Sequence, residues 1–151
     1  MIALVALGSN LGDRAAHLAA GLAALRELGA VTPSPLVLET PDEAGLGPDY
    51  LNTVAELDTP EEDVRGLLEA LLRLELRLGR DRARGRNAPR TLDLDLVAVR
   101  GVRGAWAWPA PADLRVLGSA LTLELPHPRA AERAFVRRPA EVLEGAPWAL
   151  A

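Results

Sequence analysis

The fold begins with the stretch Ile2-Ala3-Leu4-Val5-Ala6-Leu7, which runs directly into Gly8-Ser9-Asn10. A short, continuous apolar run that is closed by turn-forming residues is typical of a buried β-strand ending in a turn. Leucines then recur at helical spacing between Asp13 and Gly29. This periodicity predicts an amphipathic helix with Asp13 as its N-cap, so the chain opens with a strand followed by a helix.

Three further strands are expected after this helix. The segment from Val31 to Glu39 contains Pro33 and Pro35, which predicts an edge strand because proline cannot donate to a β-ladder. Val54 to Leu57 lies in a short third strand. Apolar and polar residues alternate from Thr91 to Val99, which predicts the fourth strand.

A second helix is expected between the third and fourth strands. The segment Thr59-Pro60-Glu61-Glu62 has the pattern of a capping box, with Thr59 as the N-cap and Pro60 in the first helical position. Apolar residues at helical spacing follow from Val64, and Gly79 ends the run.

The predicted element order is β-α-β-β-α-β. This is the order of the ferredoxin-like split unit, an α+β fold in which two helices pack on one face of an antiparallel sheet. We expect one domain over residues 1–151. The connections from Thr40 to Leu51 and from Arg80 to Arg90 are long for a compact domain, which predicts loops that close over substrates. Residues 100–125, rich in Gly, Pro and Trp, are expected to be irregular.

The composition narrows the chemistry that the chain can perform. The 151 residues are 49% hydrophobic with a net charge of −4, which predicts a soluble globular domain and argues against a generally basic nucleic-acid binder. Cysteine is absent and all 17 Lys and Arg residues are arginine, which excludes a thiol nucleophile and the lysine of a Walker A loop. There is neither a membrane-length apolar run nor a basic leader, so we expect a cytoplasmic protein without a membrane partner.

The segment Leu92-Asp93-Leu94-Asp95-Leu96 carries the clearest chemical signal. Alternate side chains of a strand share a face, so Asp93 and Asp95 would project together with their Cα atoms roughly 7 Å apart while the leucines enter the core. Two carboxylates this close need positive charge between them, and hard oxygen ligands favour Mg²⁺ bound together with phosphates. The alternative is an ordinary half-exposed strand whose aspartates pair with neighbouring arginines.

An arginine-rich segment precedes this strand. From Arg77 to Arg90 there are six arginines and one acidic residue, a local charge of +5 in a chain whose net charge is −4. Such a run is often a solvated face. Beside a carboxylate pair, however, it predicts a polyphosphate site, because the guanidinium group makes bidentate bonds to phosphate and keeps its charge.

These motifs resemble those of the 6-hydroxymethyl-7,8-dihydropterin pyrophosphokinase family. The match extends from residue 2 to about residue 143, and the run Pro89-Arg90-Thr91-Leu92-Asp93-Leu94-Asp95 is highly specific for the family. The resemblance implies transfer of pyrophosphate from ATP to the hydroxymethyl group of the reduced pterin, with release of AMP, in folate biosynthesis. It also implies a monomer. The other motifs that match in order and spacing are Gly8-Ser9-Asn10, Thr40-Pro41, Asp49-Tyr50-Leu51-Asn52, Glu75-Leu76, Gly79-Arg80-x-Arg82 and Pro126-His127.

The resemblance further implies roles for individual residues on the nucleotide side. Two Mg²⁺ ions would be held by Asp93 and Asp95, and arginines would contact or close over the phosphates during catalysis. No residue is an obvious general base. The residues implied in ATP binding are Glu75, Arg80, Arg82, Arg90, His127 and Arg133.

On the pterin side, the resemblance implies binding by Thr40, Tyr50, Asn52 and Phe135. The flat ring would lie between the two aromatic side chains and form hydrogen bonds with Asn52. The composition supports this, because Tyr50 and Phe135 are the single tyrosine and the single phenylalanine of the chain. An aromatic sandwich with a buried amide is well suited to recognise a pterin.

The sequence departs from the family pattern in the loops. Asn87 replaces a tryptophan of the best-known members, and Asp42-Glu43 replaces the usual Pro-Leu. Two other functions stay open. An RNA-binding module has the same element order but stacks bases on sheet aromatics, which the predicted strands lack. A non-catalytic nucleotide sensor would have no need of Tyr50, Asn52 and Phe135.

Overall fold

The first predicted strand lies at the centre of the main sheet. The computed structural model describes residues 1–42, 44–45, 47–79 and 92–143, and in it β1 is buried along most of its length. An apolar strand of this kind must be covered on both faces. The described elements in chain order are β1 (Ile2–Ser9), α1 (Arg14–Leu25), β2 (Ala30–Pro33), β3 (Leu38–Thr40), β4 (Tyr50–Asp58), α2 (Val64–Arg77), β5 (Asp93–Val99), β6 (Gly104–Pro109), a 3₁₀ helix (Ala112–Leu117), β7 (Ala120–Leu125), a second 3₁₀ helix (Ala130–Glu132) and α3 (Ala134–Glu141).

The main sheet is antiparallel, as predicted. Its strand order is β2-β4-β1-β5, and β3 also pairs with β4. The register pairs Gly8 of β1 with Asn52 of β4 on one side and with Asp93 of β5 on the other. Residues that are directly opposite each other in a ladder have their side chains on the same face. Asn52, Gly8 and Asp93 therefore form a row across three strands at one end of the sheet.

Helices cover both faces of this sheet. The two predicted helices, α1 and α2, pack on one face, where the inward side chains of β1, β4 and β5 form the larger core. The other face carries α3, a helix that the sequence reading did not predict. Val136 and Ala140 of α3 pack there against Leu4 and Val54. Gly8 and Asn52 share this second face with Leu4 and Val54, so the row of polar residues lies beside α3.

The predicted second strand is wrong in its extent. The segment forms two short strands, β2 and β3, which both pair with β4. Between them the side chain of Ser34 donates a 2.7 Å hydrogen bond to the Pro139 carbonyl of α3, and the Thr53 hydroxyl donates to the Leu36 carbonyl at 2.9 Å. These side-chain hydrogen bonds hold the segment between β2 and β3 in place, where Pro33 and Pro35 have no amide hydrogen to donate to the ladder. β4 is correspondingly longer than the short third strand that was expected.

The predicted start of the second helix is also wrong. Thr59 is not the N-cap: its hydroxyl accepts from the Glu61 amide, as a cap would, but its carbonyl accepts from the Met1 ammonium at 2.6 Å instead of from a helical amide, and no helical turn follows it. The helix begins at Val64, and Asp63 caps it by accepting a 2.9 Å bond from the Arg65 amide. Tertiary contact with the start of β1 thus overrides the local capping pattern. The predicted N-cap of the first helix, Asp13, is confirmed.

Residues 100–125 are not irregular, contrary to expectation. They form the hairpin β6–β7 and a 3₁₀ helix that pack against α2. The Trp108 indole donates to the Glu69 carboxylate at 3.1 Å, and the Arg73 guanidinium makes two bonds to Asp113. Buried and exposed residues alternate along β7, as expected for a strand. This strand was not predicted from the sequence because the surrounding segment is rich in Gly and Pro. No helix within the described ranges is long and apolar enough to cross a membrane.

Candidate active site

An open cleft of about 940 Å³ lies at the polar end of the sheet, beside α3. It is lined by residues from β1, β4, β5, α3 and the loops that precede β4 and α3. The predicted site residues Arg80, Arg82 and Arg90 lie outside the described residues. The predicted site residues that line the cleft are Thr40, Tyr50, Asn52, Asp93, Asp95, His127, Arg133 and Phe135.

The two aspartates of β5 face this cleft together. Asp93 is half-buried and Asp95 is exposed, whereas the leucines on either side are buried in the core. One face of β5 therefore carries both carboxylates, as the alternation of aspartate and leucine predicted.

This pair fits a magnesium site. In the described part of the chain no group of three or more His, Asp or Glu residues could hold a metal ion. From the described residues, Asp93 and Asp95 would supply hard oxygen ligands, and water or substrate phosphates would complete the coordination shell. Mg²⁺ is commonly held in this way, since it dehydrates reluctantly and prefers a few carboxylates together with phosphates.

The amide of Asn52 is held in one orientation. Its Nδ2 donates to the Thr40 hydroxyl at 2.9 Å and to the Leu38 carbonyl at 3.3 Å, so both amide hydrogens have acceptors within the protein. The Oδ1 atom lies on the side of Gly8, in the cleft. Asn52, which is 7% exposed, therefore presents a carbonyl acceptor to a ligand. The sequence indicated the residue but not which end of its amide would face the ligand.

Gly8 leaves room for this arrangement. A Cβ atom at this position would lie 3.3 Å from Asn52 Oδ1 and 3.4 Å from a Tyr50 ring carbon. We expect Gly8→Ala to displace the Asn52 amide slightly and to weaken binding of the pterin that the family resemblance implies about tenfold, roughly 1.4 kcal/mol. Calorimetric titration with the pterin in the presence of a non-hydrolysable ATP analogue measures this effect. An unchanged pterin affinity would show that the Asn52 amide can move without loss of pterin binding.

The two aromatic residues reach the cleft from different elements. Tyr50 begins β4 and Phe135 lies in the first turn of α3, and both are half-buried. The Arg133 guanidinium carbon lies 5.6 Å from the centroid of the Phe135 ring, within the range of a cation–π contact. The cleft thus has aromatic surface with a cation beside it.

A basic cluster forms the wall of the cleft next to α3. It consists of His127, Arg129 and Arg133. The Nδ1 atom of His127 accepts a 3.2 Å bond from the Arg129 amide, so a neutral imidazole carries its proton on Nε2. Burial, and then the charges of Arg133 and Arg129, lower the pKa of His127 below its usual 6.5. His127 is therefore a neutral Nε2–H donor between two permanent cations at neutral pH.

This pKa shift predicts a pH dependence of stability. The folded state binds the His127 proton less readily than the unfolded state, so stability is complete above about pH 6.5 and decreases as the pH falls below that value. We expect His127→Gln to reduce the loss of stability at acidic pH. The free energy of unfolding in urea, measured at several pH values, checks this. His17→Gln is the matched control. Equal effects of the two substitutions would contradict the assignment.

Two residues that position or charge the cleft, Arg129 and Arg14, were not singled out in the sequence, and Asn10 was quoted only as part of a motif. Arg129 lines the cleft directly, and its place just after Pro126-His127 was the available signal. Asn10 and Arg14 tie the loop before β4 to the start of α1. The Asn10 side chain donates to the Pro48 carbonyl at 3.1 Å, and Arg14 donates to the Asp49 carbonyl at 2.7 Å. Contacts of this kind depend on chain pairing that no local pattern encodes.

Glu75 is placed differently from the other predicted nucleotide residues. It is 1% exposed, it lies on α2, and it is not among the residues that line the cleft. Its carboxylate accepts a 2.6 Å bond from the Leu94 amide of β5.

Comparison with known proteins bears on the chemistry of this cleft. The family model of 7,8-dihydro-6-hydroxymethylpterin-pyrophosphokinase matches residues 4–145. Three similar proteins are each named 2-amino-4-hydroxy-6-hydroxymethyldihydropteridine pyrophosphokinase. The one from Methylorubrum extorquens is 37% identical over 91% of this chain and 78% of its own length. Those from Bacillus subtilis and Mycobacterium leprae are 35% and 36% identical, over 91% and 90% of this chain and 75% and 68% of their own lengths.

These matches cover nearly all of the described residues, including every element that lines the cleft. The strand pair, the aspartates and the basic wall are thus part of the region that the relatives share. The chain belongs to the 7,8-dihydro-6-hydroxymethylpterin-pyrophosphokinase family.

Proposed function

We propose that this protein transfers pyrophosphate from ATP to the hydroxymethyl group of 6-hydroxymethyl-7,8-dihydropterin, releasing AMP, in folate biosynthesis. Membership of the family supports this activity. The structural observation that carries the proposal is the register of the sheet, in which Asn52, Gly8 and Asp93 are neighbours on three adjacent strands. The residue that would bind the pterin ring, Asn52, and the first of the two proposed metal ligands, Asp93, therefore lie on either side of Gly8.

The pterin would be recognised by Asn52 and the two aromatic residues. The 2-amino group and the N3–H of a pterin are hydrogen-bond donors, and Asn52 presents an acceptor to the cleft because Thr40 and Leu38 take its amide hydrogens. Tyr50 and Phe135 supply flat apolar surface to the ring faces. Thr40 therefore acts on the ring through Asn52.

The phosphates of ATP would lie towards β5 and the basic wall. Asp93 and Asp95 would hold two Mg²⁺ ions, which when bound neutralise phosphate charge and polarise the attacking hydroxyl. Arg133 and the neutral Nε2–H of His127 donate to nucleotide oxygens from the opposite wall. Arg80, Arg82 and Arg90 would close over the phosphates, and Glu75 belongs to the same nucleotide half of the site.

The transfer is a displacement at the β-phosphorus. The pterin hydroxyl oxygen forms a bond to that phosphorus and its proton passes to water, while the bond from the phosphorus to the oxygen bridging the α- and β-phosphates breaks and AMP leaves with that oxygen. Positioning and charge stabilisation account for most catalysis of phosphoryl-type transfer, so the protein needs few covalent roles. The arginines stabilise the charge that develops on AMP.

One assay tests the proposed function. Protein incubated with ATP, Mg²⁺ and the reduced pterin alcohol should release AMP in proportion to the pterin diphosphate formed, as resolved by anion-exchange chromatography. Formation of ADP instead would mean transfer of the wrong group. Absence of both products would favour a nucleotide sensor or an RNA-binding module and would contradict the proposal.

We also propose the finer classification of the fold and the solution state. The strand order β2-β4-β1-β5, with α1 and α2 on one face, supports a ferredoxin-like core. The family match over residues 4–145 supports a single domain over residues 1–151. We propose a cytoplasmic monomer whose partners are the small molecules ATP and pterin rather than nucleic acid.

A further inference from the structure

The buried carboxylate of Glu75 has no place in the cleft, yet it is bonded to the strand that carries both aspartates. A charged side chain at 1% exposure is costly unless hydrogen bonds compensate for its lost hydration. Its 2.6 Å bond from the Leu94 amide is among the shortest between a side chain and the backbone in the described residues. A bond this short is strong in a buried environment, where water cannot compete for the donor or the acceptor.

The location of this bond explains why it matters for β5. Among the strands that the structure describes, β5 is at the end of the strand order, so one side of its backbone faces away from β1. Backbone groups at such an edge have no ladder partner, and a buried amide without a partner is unfavourable. Glu75 reaches from α2 and serves the Leu94 amide at this edge. Leu94 lies opposite Leu7 of β1, and because its amide points to Glu75 this is a non-hydrogen-bonded pair of the ladder, so Glu75 bonds β5 between Asp93 and Asp95, the two residues that face β1.

The bonded amide belongs to the peptide unit that joins Asp93 to Leu94. Fixing this peptide plane fixes the direction of the Asp93 Cα–Cβ bond and, one residue further on, that of Asp95. Hydrogen bonds that orient metal ligands from behind typically change metal affinity by 10- to 100-fold when they are removed. Glu75 and Leu94 are 1% and 2% exposed, so the bond is shielded from water.

We propose that Glu75 is a positioning residue: it accepts the Leu94 amide at the open edge of β5 and so holds Asp93 and Asp95 in the geometry that binds a divalent cation with the nucleotide. This inference rests on the proposed function, because the two aspartates are taken as metal ligands. Glu75 acts through the backbone of β5, from the side of the strand opposite to β1.

The test compares substitutions of Glu75 in the full chain. Glu75→Gln keeps an acceptor oxygen at the same reach, whereas Glu75→Leu removes it and Glu75→Asp is one methylene too short. Leu71→Ala is the matched control, because Leu71 is a fully buried residue of α2 whose truncation lowers the unfolding midpoint without touching the bond to β5.

Two measurements that need no turnover are made on each variant. Hydrogen exchange of the Leu94 amide by NMR reports the bond itself, and titration with Mn²⁺ in the presence of α,β-methylene ATP reports the metal site. We expect Glu75→Leu and Glu75→Asp to accelerate Leu94 exchange at least tenfold and to weaken Mn²⁺ binding about tenfold. Glu75→Gln and Leu71→Ala should each bind Mn²⁺ within threefold of the wild type.

Several outcomes would overturn the inference. They are a folded Glu75→Leu or Glu75→Asp variant with wild-type Mn²⁺ affinity, an unchanged Leu94 exchange rate, or a loss of Mn²⁺ affinity in Leu71→Ala as large as in Glu75→Leu. Should Glu75→Leu not fold, the comparison of Glu75→Asp with Glu75→Gln decides. Wild-type protein that binds Mn²⁺ without forming AMP would contradict the proposed function alone, whereas wild-type protein that binds no Mn²⁺ would overturn both.

Discussion

Asp95→Ala is expected to abolish AMP formation while leaving the fold intact. Asp95 is exposed at the cleft, so its side chain contributes little packing, and its removal also relieves repulsion from Asp93. A carboxylate that holds a metal in phosphoryl-type transfer contributes several kcal/mol to transition-state stabilisation, and a loss of about 4 kcal/mol lowers the rate roughly a thousandfold. Chromatographic detection of AMP at saturating substrates measures this rate.

The stability of the same variant provides the second half of this test. Surface substitutions away from special features change the free energy of unfolding by no more than about 0.5 kcal/mol, and urea denaturation should show a change of this size. Asp58→Ala is the control for activity, because Asp58 is an exposed aspartate at the other end of the sheet. Wild-type turnover by Asp95→Ala at limiting Mg²⁺ would refute the metal assignment.

Asn52→Ala is expected to remove most of the pterin affinity. The substitution deletes the acceptor that faces the cleft and leaves ring donors to be buried without a partner, at a cost of about 1–3 kcal/mol. With the Thr40 hydroxyl also losing its donor, we expect the higher end of this range, a loss of roughly 100-fold in pterin affinity. Calorimetric titration of the pterin into protein saturated with a non-hydrolysable ATP analogue measures it.

Nucleotide binding separates a local effect from a general one in this variant. Asn52 lies on β4, whereas the proposed nucleotide contacts lie on β5 and beside α3. The ATP analogue should therefore bind Asn52→Ala within about threefold of the wild type, a difference near 0.6 kcal/mol. A parallel loss of nucleotide and pterin affinity would indicate that the substitution disturbs the sheet rather than the ring contact.

Local patterns predicted the elements that have a strong period. The apolar run of β1, the leucine spacing of α1 and α2, and the alternation in β5 all correspond to observed elements. The prediction was wrong where a tertiary contact displaced a local preference. The Thr59 carbonyl accepts from the Met1 ammonium and not from a helical amide, and Asp63 caps α2 instead. In residues 100–125 the buried alternation of β7 is short and flanked by glycine and proline, so its hairpin was missed.

The candidate site shows the same division. Spacing alone put Asp93 and Asp95 on one face of a strand, and the family resemblance indicated Asn52, Tyr50 and Phe135. Arg129, in contrast, became a cleft residue because the segment before α3 returns to the sheet, where the His127 amide donates to the Val97 carbonyl of β5.

The sequence by itself determined which residue types share a face, because side-chain direction follows from the period of a helix or strand. It thereby placed two carboxylates on one face of a strand, and its composition and motifs predicted an arginine-based phosphate site and a binding role for the single tyrosine and the single phenylalanine. Only the tertiary structure decided that Asn52 and Asp93 flank Gly8, that the amide of Asn52 presents its oxygen, and that Glu75 serves the edge of β5. The reason is physical: strand order, register and buried hydrogen bonds depend on pairing between distant segments, and this pairing is set by the burial of both faces of the sheet at once.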